Sequence, residues 1–257
     1  MHSIVVVREV WDTRDLTGDM VDGAGAIRTD RLTTRFEPED LNALEMALRI
    51  KDTLGGQVTV LALGAPGEVD VLRECLYRGA DRAVRVPADL ADLDTAGRAR
   101  LLAQATQAQD GWRLVLAGVT IPEGETSLLG SHLAAELGVE QASYVDSLES
   151  VTETEVVARR AIEMGIEDIR LPLPAVVSVG VALLADDPRT PRSAKAMLKL
   201  KAKKAEIPEF AAAGGPSPTR RTGHQAVSER QIESQDVDPN DEAALQGMLQ
   251  RVLKGEG

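Results

Sequence analysis

The chain has 257 residues, the length of one large α/β domain or of one domain with an arm. Its 41 acidic and 29 basic residues give a formal net charge of −12, which excludes a protein that coats nucleic acid through a basic face. One cysteine and two each of Trp, Tyr and Phe exclude a disulfide framework and aromatic platforms for single-stranded nucleic acid.

The first half of the chain alternates short apolar runs with amphipathic segments. Residues 3–10 predict a buried strand, because Ile4 to Val7 leave it no polar face. Residues 38–54 predict a helix: Pro38 suits its first turn, apolar residues recur at helical spacing, and Gly55 ends it. By the same criteria, the further predicted strands are 57–63, 82–86 and 113–117, and the further helices are 66–78, 94–109 and 124–137.

This order of elements predicts a doubly wound α/β sheet. Helical crossovers make neighbouring strands parallel, and a parallel sheet needs helices on both faces. Apolar residues 175–183 predict a fifth strand, so we expect a mostly parallel sheet with a 3-2-1-4-5-like order. Residues 156–160 predict an antiparallel excursion.

The C-terminal part predicts an extended arm and a final helix. Residues 211–240 are rich in Gly, Pro, Ser, Gln and charge, a composition that does not bury a core of its own. Residues 239–254 predict an amphipathic helix with Leu245, Met248, Leu249 and Val252 on one side. We expect this helix to dock on a partner or on the body of the protein.

No apolar run reaches the about 18 residues of a membrane-spanning helix. The N-terminus enters its first apolar run without the basic region and cleavage site of a secretion signal. We therefore expect a cytoplasmic protein without direct insertion into a membrane.

The sheet predicts where a ligand would bind. In doubly wound sheets, ligands lie beyond the carboxyl ends of the strands where the winding reverses, here between the first and fourth strands. The loops at this point are 10–13 and 118–127, and the second opens a helix whose free N–H groups suit a phosphate. Glu123 and Glu125 favour the alternative, a capped loop whose carboxylates suit the helix dipole.

The sequence contains no recognisable catalytic set. We interpret His132 as a half-buried packing residue, Cys75 as a small core residue and His224 as a solvated residue of the arm. This favours a carrier or binding subunit over a self-sufficient hydrolase. The stretch 195–204 carries five lysines in an acidic chain, and is either a solvated helix face or a contact for an acidic partner or anionic ligand.

Seven segments in register resemble the beta subunit of electron transfer flavoproteins, including the branch encoded with nitrogen-fixation genes. They are V-V-R-E-V-W-D-T at 6–13, F-E-P-E-D-L-N-A-L-E-M-A-L-R-I-K at 36–51, G-G-Q-V-T-V-L-A-L-G at 55–64, R-G-A-D-R-A at 78–83, L-V-L-A-G at 114–118 with E-G-E-T at 123–126, L-P-A-V-V-S-V at 173–179, and A-K-A-M-L-K-L-K-A-K-K at 194–204. The resemblance covers residues 1–206.

The resemblance implies an adenine-nucleotide-binding domain in a heterodimer with an alpha subunit that holds FAD. This subunit would hold AMP, or a second FAD in the electron-bifurcating branch. The heterodimer would carry electrons from a flavin dehydrogenase or NADH to a further acceptor, with a flavin dehydrogenase or a membrane quinone oxidoreductase as partner. Residues 1–204 would form the nucleotide-binding domain, and residues 205–257 an arm and helix that dock on the alpha subunit.

The nucleotide contacts of the family fall on strand ends, on the start of the first helix and on the loop before the fourth helix. They correspond to Val6, Val7, Arg8, Glu37, Asp40, Leu63, Gly64, Gly118, Glu123, Gly124, Glu125, Thr126, Ser127, Leu128, Leu129 and Gly130.

Some positions depart from the family pattern. This chain has Glu37 where the family has an asparagine, Leu128 where it has a glutamine and Trp11 where it has a proline. Ser193 occupies the position of the leucine in the family's partner-recognition loop. The first two changes remove amide donors from the nucleotide site, and Glu37 adds a charge. A universal-stress-like nucleotide sensor shares the predicted fold and is the alternative, expected to be a homodimer without flavin.

Overall fold

The structure is a computed structural model. It describes residues 1–15, 17, 20–22, 27–64, 69–90, 93–120, 127–180, 188–189, 207–214, 217–219, 222, 238 and 240–254. The chain forms two compact units. One contains Met1–Met20 and Arg28–Gly223, and the other contains Val21–Ile27 and His224–Gly257.

The first unit contains the sheet and its helices. Its elements in chain order are β1 (His2–Val6), β2 (Glu9–Trp11), a short 3-10 turn (Thr29–Arg31), β3 (Thr34–Phe36), α1 (Pro38–Leu54), β4 (Gln57–Gly64), α2 (Val69–Arg78), β5 (Arg82–Pro87), α3 (Thr95–Gln107), β6 (Trp112–Gly118), α4 (Leu129–Leu137), β7 (Glu140–Val151), β8 (Glu155–Ile162), β9 (Gly165–Pro172) and β10 (Ala175–Val179).

The sheet has eight strands in the order β5-β4-β1-β6-β10-β7-β8-β9. Every pairing from β5 to β7 is parallel, while β8 and β9 add antiparallel strands beside β7. The doubly wound, mostly parallel α/β fold is therefore confirmed, and β5, β4, β1, β6 and β10 give the predicted 3-2-1-4-5 order. The antiparallel excursion at 156–160 is also confirmed, as part of β8.

Apolar layers cover both faces of the sheet, which explains the nearly unbroken apolar runs of the central strands. Successive residues of β1 point to opposite faces: Val5 joins the layer with α1 and α2, and Ile4 and Val6 join the layer with α3 and α4.

Two predicted boundaries are wrong. The strand predicted at 3–10 is broken, because β1 ends at Val6 and the chain then enters β2, which pairs with β3 in a separate ribbon. The helix predicted from residue 124 begins at Leu129, because Ser127 is held at a φ of 51° and Leu128 is the residue that precedes the first turn.

The start of the predicted C-terminal arm lies along the sheet edge. Arg85 of β5 donates its N–H to Pro208 at 3.0 Å and accepts from Phe210 at 2.8 Å. Residues 207–214 and 217–219 belong to the first unit, and most of the arm predicted at 211–240 lies outside the described residues. The second unit contains α5 (Glu242–Lys254), so the final helix is confirmed.

Candidate functional site

An ion pair joins two strand ends to the start of α1 at the predicted crevice. Arg8, just beyond β1, donates from Nε and Nη2 to Oδ2 and Oδ1 of Asp40, at 2.8 and 2.7 Å. Asp40 lies in the first turn of α1, and its Oδ1 also accepts from the N–H of Gly118, the last residue of β6, at 2.8 Å. The structure thus brings three of the predicted site residues together: Arg8, Asp40 and Gly118.

Glu39 adds a second link between α1 and the chain that leaves β6. Its Oε2 accepts from the N–H of Thr120 at 2.6 Å. Sequence reasoning did not select Glu39 as a site residue. The signal was the pair of successive carboxylates after Pro38, because they lie in the first turn of a helix that begins at the strand ends. Together, Glu39 and Asp40 fix the beginning of the loop that leads to α4.

Gly118 leaves no room for a side chain. A Cβ at this position would lie 2.6 Å from Oδ1 of Asp40 and 2.8 Å from Cβ of Glu39. Glycine is therefore required here for the close approach of the β6 backbone to α1.

Two buried polar atoms beside this ion pair have no hydrogen-bond partner in the described part of the chain. They are Oε2 of Glu37 and Nη1 of Arg8. Glu37 is only 4 % exposed, and its backbone N–H donates to the carbonyl of Arg8 at 3.1 Å. Because buried polar groups are nearly always paired, these atoms mark a place where a ligand can supply partners.

The electrostatics of this cluster are set by three carboxyl groups around one guanidinium. Burial raises the pKa of Glu37, and the charge of Asp40 raises it further, while Arg8 acts in the opposite direction. Burial by itself would lower the pKa of Arg8, but the charge and hydrogen bonds of Asp40 raise it above its ordinary value. Arg8 therefore stays charged beside the buried carboxyl groups.

The loop before α4 ends at the same edge of the sheet. Leu128 is exposed, whereas Leu129 and Gly130 are buried at the start of α4. A Cβ on Gly130 would lie 1.8 Å from Oγ of Ser178, so the helix begins against β10. This places the first turn of α4 at the carboxyl edge of the sheet. The predicted site residues Glu123, Gly124, Glu125 and Thr126 lie outside the described residues.

The remaining predicted residues end strands at this edge without joining the ion pair. The side chains of Val6 and Val7 are buried in the core, so a ligand would meet their backbone alone. Leu63 is also buried, and the carbonyl of Gly64 accepts from Nη1 of Arg85 at 3.1 Å.

The expected non-catalytic residues occupy structural positions. Cys75 is fully buried, and burial raises the pKa of its thiol well above the ordinary value, so it is a core residue as predicted. His132 is half-buried, also as predicted. His224, Ser193 and the lysine-rich stretch 195–204 lie outside the described residues.

Comparison with known proteins identifies the family of this chain. A family model for the electron transfer flavoprotein domain matches residues 25–214. The electron transfer flavoprotein subunit beta of Thermoanaerobacterium thermosaccharolyticum is 30 % identical over 179 residues, which are 69 % of this chain and 67 % of that protein. The chain belongs to the electron transfer flavoprotein family. Its similarity is to beta subunits of that family, which confirms the resemblance seen in the sequence.

Two further relatives are similar to the same degree. Protein FixA of Bradyrhizobium diazoefficiens is 33 % identical over 187 residues, 70 % of this chain but only 64 % of the length of FixA. The caffeyl-CoA reductase-Etf complex subunit CarD of Acetobacterium woodii is 32 % identical over 192 residues, 74 % of this chain and 71 % of that protein. In the part of this chain that the structure describes, no helix is long and apolar enough to cross a membrane.

Proposed function

We propose that this electron transfer flavoprotein beta subunit binds an adenine nucleotide at the carboxyl edge of its sheet and assembles with an alpha subunit. The observation that carries the proposal is that Oε2 of Glu37 and Nη1 of Arg8 are buried near the end of β6 and have no hydrogen-bond partner among the residues that the structure describes. The ion pair of Arg8 with Asp40 holds this pair in place, so the binding groups are fixed before a ligand arrives.

The described residues suit a nucleotide rather than a reacting substrate. Arg8 supplies a hydrogen-bond donor, Glu37 an acceptor, and the start of α4 supplies N–H groups toward a phosphate. The ligand proposed for this subunit is AMP or a second FAD, and the alpha subunit would hold the other FAD. A bound flavin would supply the redox chemistry, while this chain binds and orients the nucleotide.

The place of the protein in electron transfer is part of the same proposal. The heterodimer would carry electrons from a flavin dehydrogenase or NADH to a further acceptor, in the cytoplasm, with a flavin dehydrogenase or a membrane quinone oxidoreductase as its partner. If this subunit holds a second FAD, electron bifurcation becomes the favoured reaction. The alternative, a universal-stress-like nucleotide sensor, rested only on the predicted sheet. It loses its support, because the residues that form this sheet match the electron transfer flavoprotein domain over 25–214.

The nucleotide content of the purified protein tests the proposal. Gly124→Val should lower the nucleotide bound per chain, because a side chain in this loop obstructs close approach of the backbone to a phosphate. The matched control is Gly214→Val, since a Cβ on Gly214 meets no atom within 4 Å. The nucleotide is released by denaturation and identified by chromatography. Equal nucleotide content in both folded variants would contradict a phosphate site in this loop.

A further inference from the structure

We propose that Arg85 is a positioning residue that couples the C-terminal segment to the nucleotide site, because it joins residues 207–214, the edge strap, to the carboxyl end of β4. While the edge strap is docked, Arg85 holds the carbonyl of Gly64. When the strap leaves the sheet, this hold is lost and nucleotide affinity falls. The inference rests on the proposed nucleotide site and goes beyond it, because it makes that site depend on a segment outside the crevice.

The edge strap lies beside β5, the last strand on one side of the sheet. Arg85 donates its backbone N–H to the carbonyl of Pro208 at 3.0 Å, and its own carbonyl accepts from the N–H of Phe210 at 2.8 Å. Ile207 packs against the apolar layer of α1 and α2, and Phe210 packs against the layer of α3 and α4. The strap is therefore held by backbone hydrogen bonds and by apolar contacts with both layers.

Further hydrogen bonds fasten the chain at the end of the edge strap. Nε2 of Gln104, in α3, donates to the carbonyl of Ala213 at 3.1 Å, and Oε1 of Gln104 accepts from the N–H of Ala213 at 2.9 Å. A little further on, Oδ2 of Asp94 accepts from the N–H and from the hydroxyl of Thr219, at 2.9 and 2.8 Å. The strap is thus a docked element of the first unit.

The guanidinium of Arg85 connects the edge strap to β4. Its Nη2 donates to Oε1 of Glu209, a strap residue, and its Nη1 donates to the carbonyl of Gly64 at 3.1 Å. The side chain of Arg85 is only 11 % exposed, and Glu209 supplies its counter-charge. A buried guanidinium that loses its counter-charge is strongly disfavoured. Without Glu209, the side chain of Arg85 should therefore turn toward solvent and leave Gly64.

The carbonyl of Gly64 is the group whose position depends on this contact. Gly64 is the last residue of β4 and has a φ of 148°, a conformation that side chains other than that of glycine rarely allow. Its carbonyl accepts from Arg85 and, at 3.4 Å, from the N–H of Ala88. Because a glycine backbone rotates more freely than any other, a donor that fixes this carbonyl also fixes the direction in which the chain leaves β4.

Gly64 lies at the edge of the sheet where we expect the nucleotide. Strands β4 and β6 flank β1 and run parallel to it, so Gly64 and Gly118 end their strands on the same side of the sheet. Ligands of doubly wound sheets lie beyond these strand ends. A change at the end of β4 therefore alters the surface that a nucleotide meets, although Arg85 itself does not touch the ligand.

The test is a double-mutant cycle on the binding of AMP to the full chain, measured by calorimetry. Glu209→Ala should weaken AMP binding roughly fivefold, although Glu209 is an exposed residue of the strap. Arg85→Leu should weaken it at least as much. The double variant should bind no more weakly than Arg85→Leu alone, because Glu209 acts through Arg85. The matched control is Glu167→Ala, which removes an exposed partner of Arg160 and should bind AMP like the wild type.

The reverse effect is measured by hydrogen exchange of the N–H of Phe210, which is bonded to the carbonyl of Arg85. A ligand that binds better to the docked state also favours that state, by the same factor. Saturating AMP should therefore slow this exchange roughly fivefold in the wild type and leave it unchanged in Glu209→Ala.

The outcomes separate this coupling from the proposed function. Wild-type AMP affinity in Glu209→Ala, or losses that add in the double variant, would overturn the coupling and leave the nucleotide site intact. A wild type that does not bind AMP contradicts the proposed function itself, and the inference with it. If Arg85→Leu does not fold, Glu209→Ala and the exchange of Phe210 decide, because an exchange rate that AMP does not change in the wild type overturns the inference.

Discussion

Asp40 joins three parts of the chain that are far apart in the sequence. Its side chain is fully buried, it accepts the fork of Arg8, and it accepts the N–H of Gly118, 78 residues away. Sequence reasoning selected Arg8, Asp40 and Gly118 through a family resemblance, but could not show that they contact one another. A hydrogen bond between distant residues depends on how the strands and α1 pack, and no local pattern encodes it.

Asp40→Asn should lower the free energy of unfolding by about 3–5 kcal/mol, because it leaves the buried Arg8 guanidinium without its counter-charge. Urea denaturation measures the change. The control is Asp168→Asn, which removes one of the two acidic partners of the exposed Arg159 and should cost at most about 1 kcal/mol. Equal losses for the two variants would mean that the Arg8–Asp40 pair is no more important than a surface pair.

Gly118→Ala should destabilise the protein by about 1–3 kcal/mol, because the new methyl group would force Asp40 or Glu39 away from the end of β6. Thermal unfolding followed by circular dichroism measures this. Gly180→Ala is the matched control at the next strand end, where a Cβ meets nothing within 4 Å. A Gly118→Ala protein as stable as this control would show that the β6 backbone does not need its close approach to α1.

At the scale of elements, helix α1 was predicted from Pro38 to Leu54 and is observed with those bounds. Its ends are marked locally, by a proline that suits a first turn and by Gly55 at a φ of 71°. Strand β7 was missed, because its residues do not alternate cleanly between apolar and polar, and it is held by β10 and β8. Local signals thus determined the helix, and tertiary packing determined the strand.

Helix α1 also binds Arg189, a residue that follows the last strand of the sheet in the chain. Glu45, a buried residue of α1, accepts from Nε of Arg189 at 2.8 Å and from its backbone N–H at 3.1 Å. Arg189 also pairs with Asp52 at 2.9 Å. Burial by itself would raise the pKa of Glu45, but hydrogen bonds from Arg189 and Arg49 lower it below the ordinary value.

Glu45→Gln should therefore lower the free energy of unfolding by about 2 kcal/mol at neutral pH. A carboxylate with a lowered folded pKa stabilises above its unfolded pKa of about 4.3, and this contribution disappears as the pH falls through the folded pKa. Urea denaturation of wild type and variant across pH should thus show a difference that shrinks in acid. Glu155→Gln, in the exposed pair with Arg170, should show little difference at any pH. A Glu45→Gln difference that does not change in acid would contradict this account.

At the scale of the whole molecule, the sheet and both apolar layers lie in the first unit, and α5 lies in the second. Within α5, Leu245 and Met248 are partly buried, whereas Leu249 and Leu253 are 55 % and 85 % exposed. The division of the chain into two domains at residue 204 remains a prediction. Residues 207–214 contact the edge of the sheet, so a truncation that spares the first unit should remove only residues after Gly223.

Deletion of residues 224–257 should leave the sheet folded and weaken assembly with the alpha subunit. Burial of the exposed leucines of α5 at about 25 cal/mol per Å², less the cost of ordering, leaves a few kcal/mol, or roughly a hundredfold in the dissociation constant. Titration of alpha subunit against the full and truncated chains measures it, with a Gly247→Ala full-length chain as control. Equal dissociation constants for full and truncated chains would show that α5 is not an assembly element.

We propose that this chain is the nucleotide-binding beta subunit of a heterodimeric electron transfer flavoprotein. The most direct test of this proposal is to purify the chain together with an alpha subunit, record the visible spectrum, and identify the nucleotides released by denaturation. We expect a yellow heterodimer that releases either one FAD and one AMP or two FAD. A colourless protein that stays a homodimer in the presence of the alpha subunit and releases no adenine nucleotide would contradict it.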